Sequence, residues 1–219
     1  MGIQIIGTSG TGYIADVNNE GALRVTETPP SGAYYAQAAK TGTIAAAAAA
    51  GAAVFAMRVN PSYAGGKAYI DRIKLRWTTI VAFTTAVTQT RSLVITRGAG
   101  AAASGGTSLA TATKKDTAYA ASQTDVATGG AVQIATTGAL TVTGITFETT
   151  NLAEITLAHV GAAGSYYEEI LDLTNSRGHA VELNAGEVLA VRVGGSAMDA
   201  AGTWSLGVDI NWRESTSEA

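Results

Sequence analysis

Two stretches of the chain alternate strictly between apolar and polar residues. In the first, Ile73, Leu75 and Trp77 alternate with basic residues, and in the second every other residue from Trp204 to Trp212 is large and apolar. A period of two is typical of a β-strand with one buried face and one wet face. Both stretches are therefore predicted to be strands, and the second is expected to return beside the strand that precedes it.

Weaker patterns of the same kind predict further strands. The candidates are 54–59, 92–96, 141–149, 153–159, 166–173 and 188–193. Residues 45–50, all alanine, favour a helical turn or two by propensity, and residues 98–138 are predicted to be long surface loops with weak strands. Seven or eight strands without a long helix predict an all-β fold, a β-sandwich with a jelly roll as the favoured topology.

The first 30 residues differ from the rest of the chain and indicate a separate arm. Residues 13–17 and 22–26 are strand-like, and the intervening Asn18-Asn19-Glu20-Gly21 suits a tight turn. We predict a β-hairpin arm over residues 1–30, a sandwich body over 31–215 and a short tail over 216–219. Because a lone hairpin is marginal in water, the arm is expected to pack on its own body or on a partner.

Composition excludes several classes of protein. The 219 residues include no Cys, which excludes disulfide scaffolds, thiolate metal sites and cysteine nucleophiles. The longest apolar run, residues 44–57, is mostly alanine and too short to span a bilayer, so no membrane is expected as a partner. No Lys or Arg precedes Arg24, so a secretory signal is not expected either.

The two halves of the chain carry opposite charge. Residues 1–115 hold 11 Lys and Arg against 4 Asp and Glu, and residues 116–219 hold 3 against 13, so +7 and −10 sum to −3. Either strands from both halves interleave and their charges neutralise locally, or the protein has a basic face and an acidic face suited to docking. The basic residues are scattered and not interleaved with aromatics, so nucleic acid is not an expected partner.

Catalytic and metal-binding patterns are weak throughout. The glycine-rich segment 7–12 lacks the lysine and the following helix of a phosphate-binding loop. The two histidines, His159 and His179, do not have the spacing of metal ligands. Glu168 and Glu169 would point to opposite faces of a strand and cannot form one catalytic pair. We expect a binding or structural protein, with no enzymatic activity, cofactor or metal.

Two features are candidate partner-binding sites. The arm contributes Tyr13, Ile14, Val17, Leu23, Arg24 and Val25, and a basic row on one face of one strand contributes Arg72, Lys74 and Arg76. The basic row is either a solvated face or edge guarded against aggregation, or a contact with an acidic partner surface. Tyr166 and Tyr167, beside acidic residues, predict an edge or interface strand, with a sugar-binding face as the alternative.

Three stretches of the sequence form one recognisable layout. They are the arm, with Gly2-Ile3-Gln4-Ile5-Ile6-Gly7 and residues 14–25; the segment from Gly32-Ala33-Tyr34-Tyr35 to Ile70-Asp71-Arg72-Ile73; and the ending, from Leu183-Asn184-Ala185-Gly186-Glu187 to Trp212-Arg213-Glu214. This layout, which spans nearly the whole chain, resembles structural proteins of tailed bacteriophages encoded among head and neck genes. Its motifs are turns and amphipathic strands without a catalytic signature.

The resemblance implies a virion component, assembled in the host cytoplasm. A jelly-roll body with an N-terminal arm implies a head decoration (cement) protein that binds the major capsid protein or another virion protein. The three-fold sites of an icosahedral shell favour a homotrimer. A tail, neck or fibre component is the alternative within the virion, and a carbohydrate- or receptor-binding sandwich is the alternative outside this class.

Overall fold

A computed structural model describes residues 32–45, 48–83, 91–157, 161–173, 180–198 and 201–215, together with the backbone of 15–17 and 23–25. The strands, in chain order, are β1 (Ala15–Val17), β2 (Leu23–Val25), β3 (Ala33–Lys40), β4 (Ile44–Ala45), β5 (Ala53–Arg58), β6 (Lys67–Val81), β7 (Ser92–Gly100), β8 (Thr107–Ser108), β9 (Thr113–Lys114), β10 (Ala131–Ile134), β11 (Ile145–Phe147), β12 (Ala153–Thr156), β13 (Tyr166–Asp172), β14 (Val181–Asn184), β15 (Glu187–Val193) and β16 (Thr203–Ser215). In the described part of the chain the only helical element is one 3₁₀ turn, Val126–Thr128. The predicted all-β class is confirmed.

The described strands form two seven-stranded antiparallel sheets and one hairpin. The first sheet, here called the β6 sheet, has the order β13-β6-β16-β3-β9, with β14 also on β6 and β4 on β16. The second, the β7 sheet, has the order β11-β7-β15-β5-β10-β8, with β12 also on β7. The hairpin is the antiparallel pair β1 and β2.

Inward-facing side chains of both sheets form a single hydrophobic core. The alternating apolar residues of β6 and β16 lie in this core as predicted, and the indoles of Trp77 and Trp204 stack there with ring centroids 4.2 Å apart. Because the inward faces of both sheets share this one core, the two sheets pack face to face, which confirms the β-sandwich. The jelly-roll topology is not confirmed and stays a prediction.

Strand β5 buries both of its faces. Phe55 and Met57 lie on the predicted inward face, but Val54 and Ala56 are buried as well. Strand β5 lies between β15 and β10 in the middle of the β7 sheet, and its outer face is covered as well as its inner face. A strand covered on both sides carries a continuous apolar run rather than an alternating one.

The prediction that the last strand returns beside its predecessor is wrong. Strand β16 pairs with β6 on one side and with β3 and β4 on the other, whereas β15 lies in the opposite sheet between β7 and β5. The apolar rows of β15 and β16 thus face each other across the core instead of lying side by side in one sheet. The turn at Ala185–Gly186 likewise joins β14 in one sheet to β15 in the other.

One local prediction also needs correction, and a second is refined. The helical turn over residues 45–50 does not form in its described residues, because Ala45 belongs to β4 and Ala50 begins a turn with Gly51. Residues 98–138 are mostly irregular as predicted, but they include β10, whose Val132 and Ile134 are buried against β5. Tertiary packing overrides alanine's weak helical preference.

The chain divides into two compact units. One comprises Met1–Ser31 with Ser217–Ala219 and contains the hairpin β1–β2; the other, Gly32–Thr216, is the sandwich. The sandwich begins at Gly32, whose φ of +152° is one that residues with a side chain rarely adopt. A Cβ on Gly32 would lie 2.6 Å from the backbone oxygen of Glu214, so the first strand of the sandwich can approach β16 only with glycine here.

Candidate interaction surface

The basic row predicted from the sequence lies in the middle of the outer face of the β6 sheet. Strand β6 has β13 and β14 on one side and β16 on the other, so it is not an edge. The interpretation of Arg72, Lys74 and Arg76 as an edge guard is therefore wrong. The three side chains instead form the solvent-facing side of a central strand, with Arg72 exposed and the other two partly covered.

Acidic residues of the neighbouring strands form ion pairs with Lys74 and Arg76 of this basic row. Lys74 Nζ lies 2.8 Å from Glu168 Oε1 on β13, and Arg76 Nη2 lies 2.6 Å from Asp209 Oδ1 on β16. Arg72 faces Asn211 on β16, whose amide, with its oxygen turned toward the guanidinium, accepts from Nη2 at 3.0 Å. The bases come from the first half of the chain and the acids from the second. The opposite charges of the two halves thus neutralise where their strands pair.

The same pattern recurs elsewhere in the sandwich. Lys67 pairs with Glu182 at 2.7 Å, and Arg97 on the β7 sheet pairs with Glu148 at 2.7 Å. These pairs again join a base before residue 115 to an acid after it. Of the two interpretations of the charge asymmetry, local neutralisation by interleaved strands is therefore the one that these pairs support.

Two neighbouring side chains hold the carboxylate of Glu168 on the outer face. Its Oε2 accepts a 2.5 Å hydrogen bond from Tyr166 Oη, while its Oε1 faces Lys74. The bond from Lys74, followed by that from Tyr166, lowers the pKa of Glu168 below its ordinary value. Glu168 therefore stays ionised, and its side chain is fixed between two neighbours.

The tyrosine pair of β13 lies on two faces. Tyr166 is 57% exposed on the outer face, whereas Tyr167 packs partly against the core and donates to Glu169 Oε2 at 2.6 Å. Glu168 and Glu169 separate in the same way, as their adjacent positions in a strand require. One sugar ring cannot stack on both tyrosines, so these residues do not form a joint aromatic platform. Among the described strands β13 pairs with β6 alone, which makes it an edge strand, as predicted.

A buried polar cluster at one end of the sandwich was not predicted. Glu214, 5% exposed, accepts from Ser122 Oγ at 2.5 Å, from the Gln123 N–H at 2.9 Å and from Trp212 Nε1 at 3.0 Å. Asp125 accepts from the N–H groups of Ala112 and Ser122 at 2.7 and 3.2 Å. The cluster fastens the loop around residues 112–128 to the end of β16. A single Glu at the end of an apolar strand gives no local signal of this contact.

Burial governs the protonation of this cluster. Desolvation raises the pKa of Glu214, although its hydrogen bonds from Ser122, Gln123 and Trp212 act in the opposite direction. Burial, and then the charges of Glu214 and Asp125, raise the pKa of the nearby Tyr35 to about 12. Every hydrogen bond named here joins two groups of this chain. The cluster therefore has a structural role, which is to hold the loop around residues 112–128 against the end of β16.

The described ranges offer few candidate metal-binding or ligand-binding sites. No group of three His, Asp or Glu residues there could hold a metal ion, and His159 and His179 both lie outside those ranges. An open groove is lined by Thr146, Phe147, Glu148, Thr149 and Thr150. The guanidinium of Arg192 lies 4.2 Å from the centre of the ring of Phe147, one of these lining residues. Searching those same residues for a helix long and apolar enough to cross a bilayer finds none.

The arm residues named from the sequence are placed in part. Val17 is the last residue of β1, and Leu23, Arg24 and Val25 form β2, with Asp16 opposite Arg24 in the antiparallel register. Tyr13 and Ile14 lie outside the described residues. The predicted strand pair of the arm is thus present, and its role in binding stays a prediction.

Comparison of the sequence with protein-family models found no matching family, and comparison with curated proteins found no matching relative.

Proposed function

We propose that this chain is a non-enzymatic structural protein of a tailed-bacteriophage virion, a head decoration (cement) protein that binds and stabilises the capsid shell. The support for a virion location is the resemblance of the sequence layout to phage structural proteins. The three-fold sites of an icosahedral shell favour a homotrimer. The proposed partner is the major capsid protein, and assembly takes place in the host cytoplasm.

The observation that carries the proposal is the arm as a compact unit of its own. Its two strands, β1 and β2, have three residues each and belong to the first of the two compact units. A two-stranded hairpin of this size cannot stabilise itself in water. Docking on another protein's surface, for example by adding strands to an exposed sheet edge, would supply the missing contacts.

The ion pairs of the outer face favour the arm over the basic row as the main contact with the capsid. Lys74 and Arg76 already face Glu168 and Asp209, so the basic row does not present a free positive patch to an acidic shell. The arm contributes the apolar residues Val17, Leu23 and Val25, which suit burial against a partner. We therefore place the main capsid contact in the arm and only a supporting one in the basic row.

Deleting residues 1–30 tests this assignment. Capsids prepared without the protein are mixed with the full chain or with the deletion variant and sedimented, and bound protein is quantified. The deletion variant is expected to stay folded and to lose at least 10-fold in affinity. The full-length variant Val17→Asp/Leu23→Asp/Val25→Asp should lose a similar amount, whereas the full-length control Tyr166→Ala should bind normally. Retained binding by the deletion variant would refute the role of the arm.

A tail, neck or fibre component is the second candidate, because a sandwich with a docking arm serves equally well there. Electron microscopy of the purified protein separates the two. Rings or tubes would favour the tail or neck, and discrete small oligomers favour decoration. The sugar-binding alternative has less support, since Tyr166 and Tyr167 lie on different faces of β13.

A further inference from the structure

The outer face of the β6 sheet is organised as four charged or small-residue stripes. Strand β13 presents acids, β6 presents bases, β16 presents Asp209 with Asn211 and Gly207, and β3 presents Lys40 with Ala38 and Ala36. The register aligns these residues in rows across the sheet. One row reads Glu168, Arg76, Gly207, Lys40, and the next reads Ile170, Lys74, Asp209, Ala38.

We propose that this face binds the same face of a second copy of the chain. The geometry is a two-fold axis that lies in the interface, runs parallel to the strands and passes midway between β6 and β16. Such a rotation places β6 of each copy over β16 of the other, and β13 over β3. Because the axis follows the strands, every row faces itself in reverse order. The inference goes beyond the proposed function and does not depend on a capsid.

Reversal of the central row brings unlike charges together. Lys74 of each copy faces Asp209 of the other, so two lysines and two aspartates alternate around the axis. Lys74 Nζ has three donors, of which the bond to Glu168 uses one, and Asp209 keeps acceptor capacity beside Arg76. The pairing therefore adds to the ion pairs within each copy and does not require them to break.

The flanking positions of these rows also match. Glu168 on β13 faces Lys40 on the β3 strand of the other copy, again with opposite charges. Ile170, which is 51% exposed, faces Ala38, so an apolar side chain meets a small apolar one. Reversed rows thus bring together two pairs of opposite charge and one apolar pair on each side of the axis, with no like charges opposed.

The size of the face predicts a weak complex. Four strands about 4.8 Å apart and seven residues long cover roughly 400 Å² per copy, about half of the ~800 Å² that a stable interface buries on each side. Association is therefore expected only at protein concentrations on the order of 100 μM, and it weakens with salt because its contacts are exposed ion pairs. Crowding of copies on a larger assembly would supply such local concentrations.

Two single charge reversals, tested alone and mixed, distinguish this pairing from a general effect of charge. In Lys74→Glu, position 74 faces an aspartate, and in Asp209→Lys, position 209 faces a lysine, so each variant alone should associate at least 10-fold more weakly than the unaltered chain. In an equimolar mixture, Glu at position 74 faces Lys at position 209, and Asp209 faces Lys74. The mixture should therefore recover association.

Sedimentation velocity at low salt, from about 10 μM to about 1 mM, measures the association. Circular dichroism melts verify that each variant is folded. The matched control is the pair Arg97→Glu and Glu148→Lys, which reverses an ion pair on the other sheet and should leave association unchanged alone and mixed. A chain that stays monomeric up to about 1 mM, or a mixture that sediments as the average of its two variants, would overturn the proposal. If the chain is a trimer, the pairing predicts a further association step between trimers, and the absence of that step, or its insensitivity to positions 74 and 209, would overturn the proposal equally.

Discussion

The indole rings of Trp77 and Trp204 stack across neighbouring strands, with centroids 4.2 Å apart and 14° between their planes. Trp77 lies on β6 and Trp204 on β16, and both are essentially inaccessible to solvent. Phe83 continues the stack, with its ring centre 6.4 Å from that of Trp77. This aromatic column joins the two longest strands of the β6 sheet and anchors them in the core.

Replacing one indole of this column should be among the most destabilising changes in the sandwich. We expect Trp204→Ala to lower the free energy of unfolding by about 3–5 kcal/mol, because it removes buried area and leaves a cavity. Trp204→Phe should lose less, since it keeps an aromatic face against Trp77. Urea unfolding measures both variants. A loss below about 1 kcal/mol for Trp204→Ala would contradict the packing described.

Gly32, where the sandwich begins, should tolerate no side chain. Gly32→Ala places a Cβ against the backbone oxygen of Glu214 at a φ that alanine rarely adopts, so we expect a loss of about 1–3 kcal/mol. Gly138→Ala is the matched control, because its Cβ would meet nothing within 4 Å, and it should be neutral within about 0.5 kcal/mol. Equal melting temperatures for the two variants would argue against the contact between Gly32 and β16.

Glu214 should make stability depend on pH in a defined direction. Since burial raises its pKa in the folded protein, the folded state binds this proton more tightly than the unfolded chain does. The contribution of protonated Glu214 to the free energy of unfolding is fully present below the pKa that this residue has in the unfolded chain. It is lost as the pH rises through the pKa that it has in the folded protein. Glu214→Gln lacks this titration and can keep the acceptor that faces Ser122 and Trp212.

The unfolding free energy of the unaltered chain minus that of Glu214→Gln isolates this residue. We expect the difference to fall as the pH rises from about 4 to about 7, measured by urea unfolding at each pH. Groups shared by both proteins cancel in the subtraction. A difference that is flat, or that rises with pH, would show that the carboxyl is not held in a desolvated site.

The two tyrosines of β13 should differ in what they stabilise. Tyr167 packs against the core and Tyr166 is largely exposed. Tyr167→Ala should therefore lower the melting temperature by several degrees, and Tyr166→Ala should leave it almost unchanged. On a glycan array we expect no glycan whose binding is reduced by either substitution. Loss of a bound glycan in Tyr166→Ala or Tyr167→Ala would support the sugar-binding alternative. Equal melting temperatures for both variants would contradict their placement on different faces.

The strands with one wet face could be predicted from sequence, because a period of two records the difference between core and solvent directly. Ile73, Leu75 and Trp77 are the clearest case, and all three lie in the core. Pairing could not be predicted in the same way. Nothing local in β16 shows that its neighbours are β6 and β3, more than 120 and 160 residues away respectively, and adjacency in sequence wrongly suggested β15.

The candidate surface was likewise predictable only in part. Alternation places Arg72, Lys74 and Arg76 on one solvent-facing side, and this is confirmed. Their partners Glu168 and Asp209 lie on strands from the second half of the chain, so the neutralisation emerges only when the strands are paired. The contact of Ser122 with Glu214 spans 92 positions and leaves no pattern in either segment.

Immunogold labelling of intact virions of the proposed source phage, with an antibody to this chain, tests the proposal that the protein lies on the surface of a phage head. We expect the label to be distributed over the head, as a decoration protein requires. Label confined to the tail or neck, or no label on intact particles, would contradict this placement.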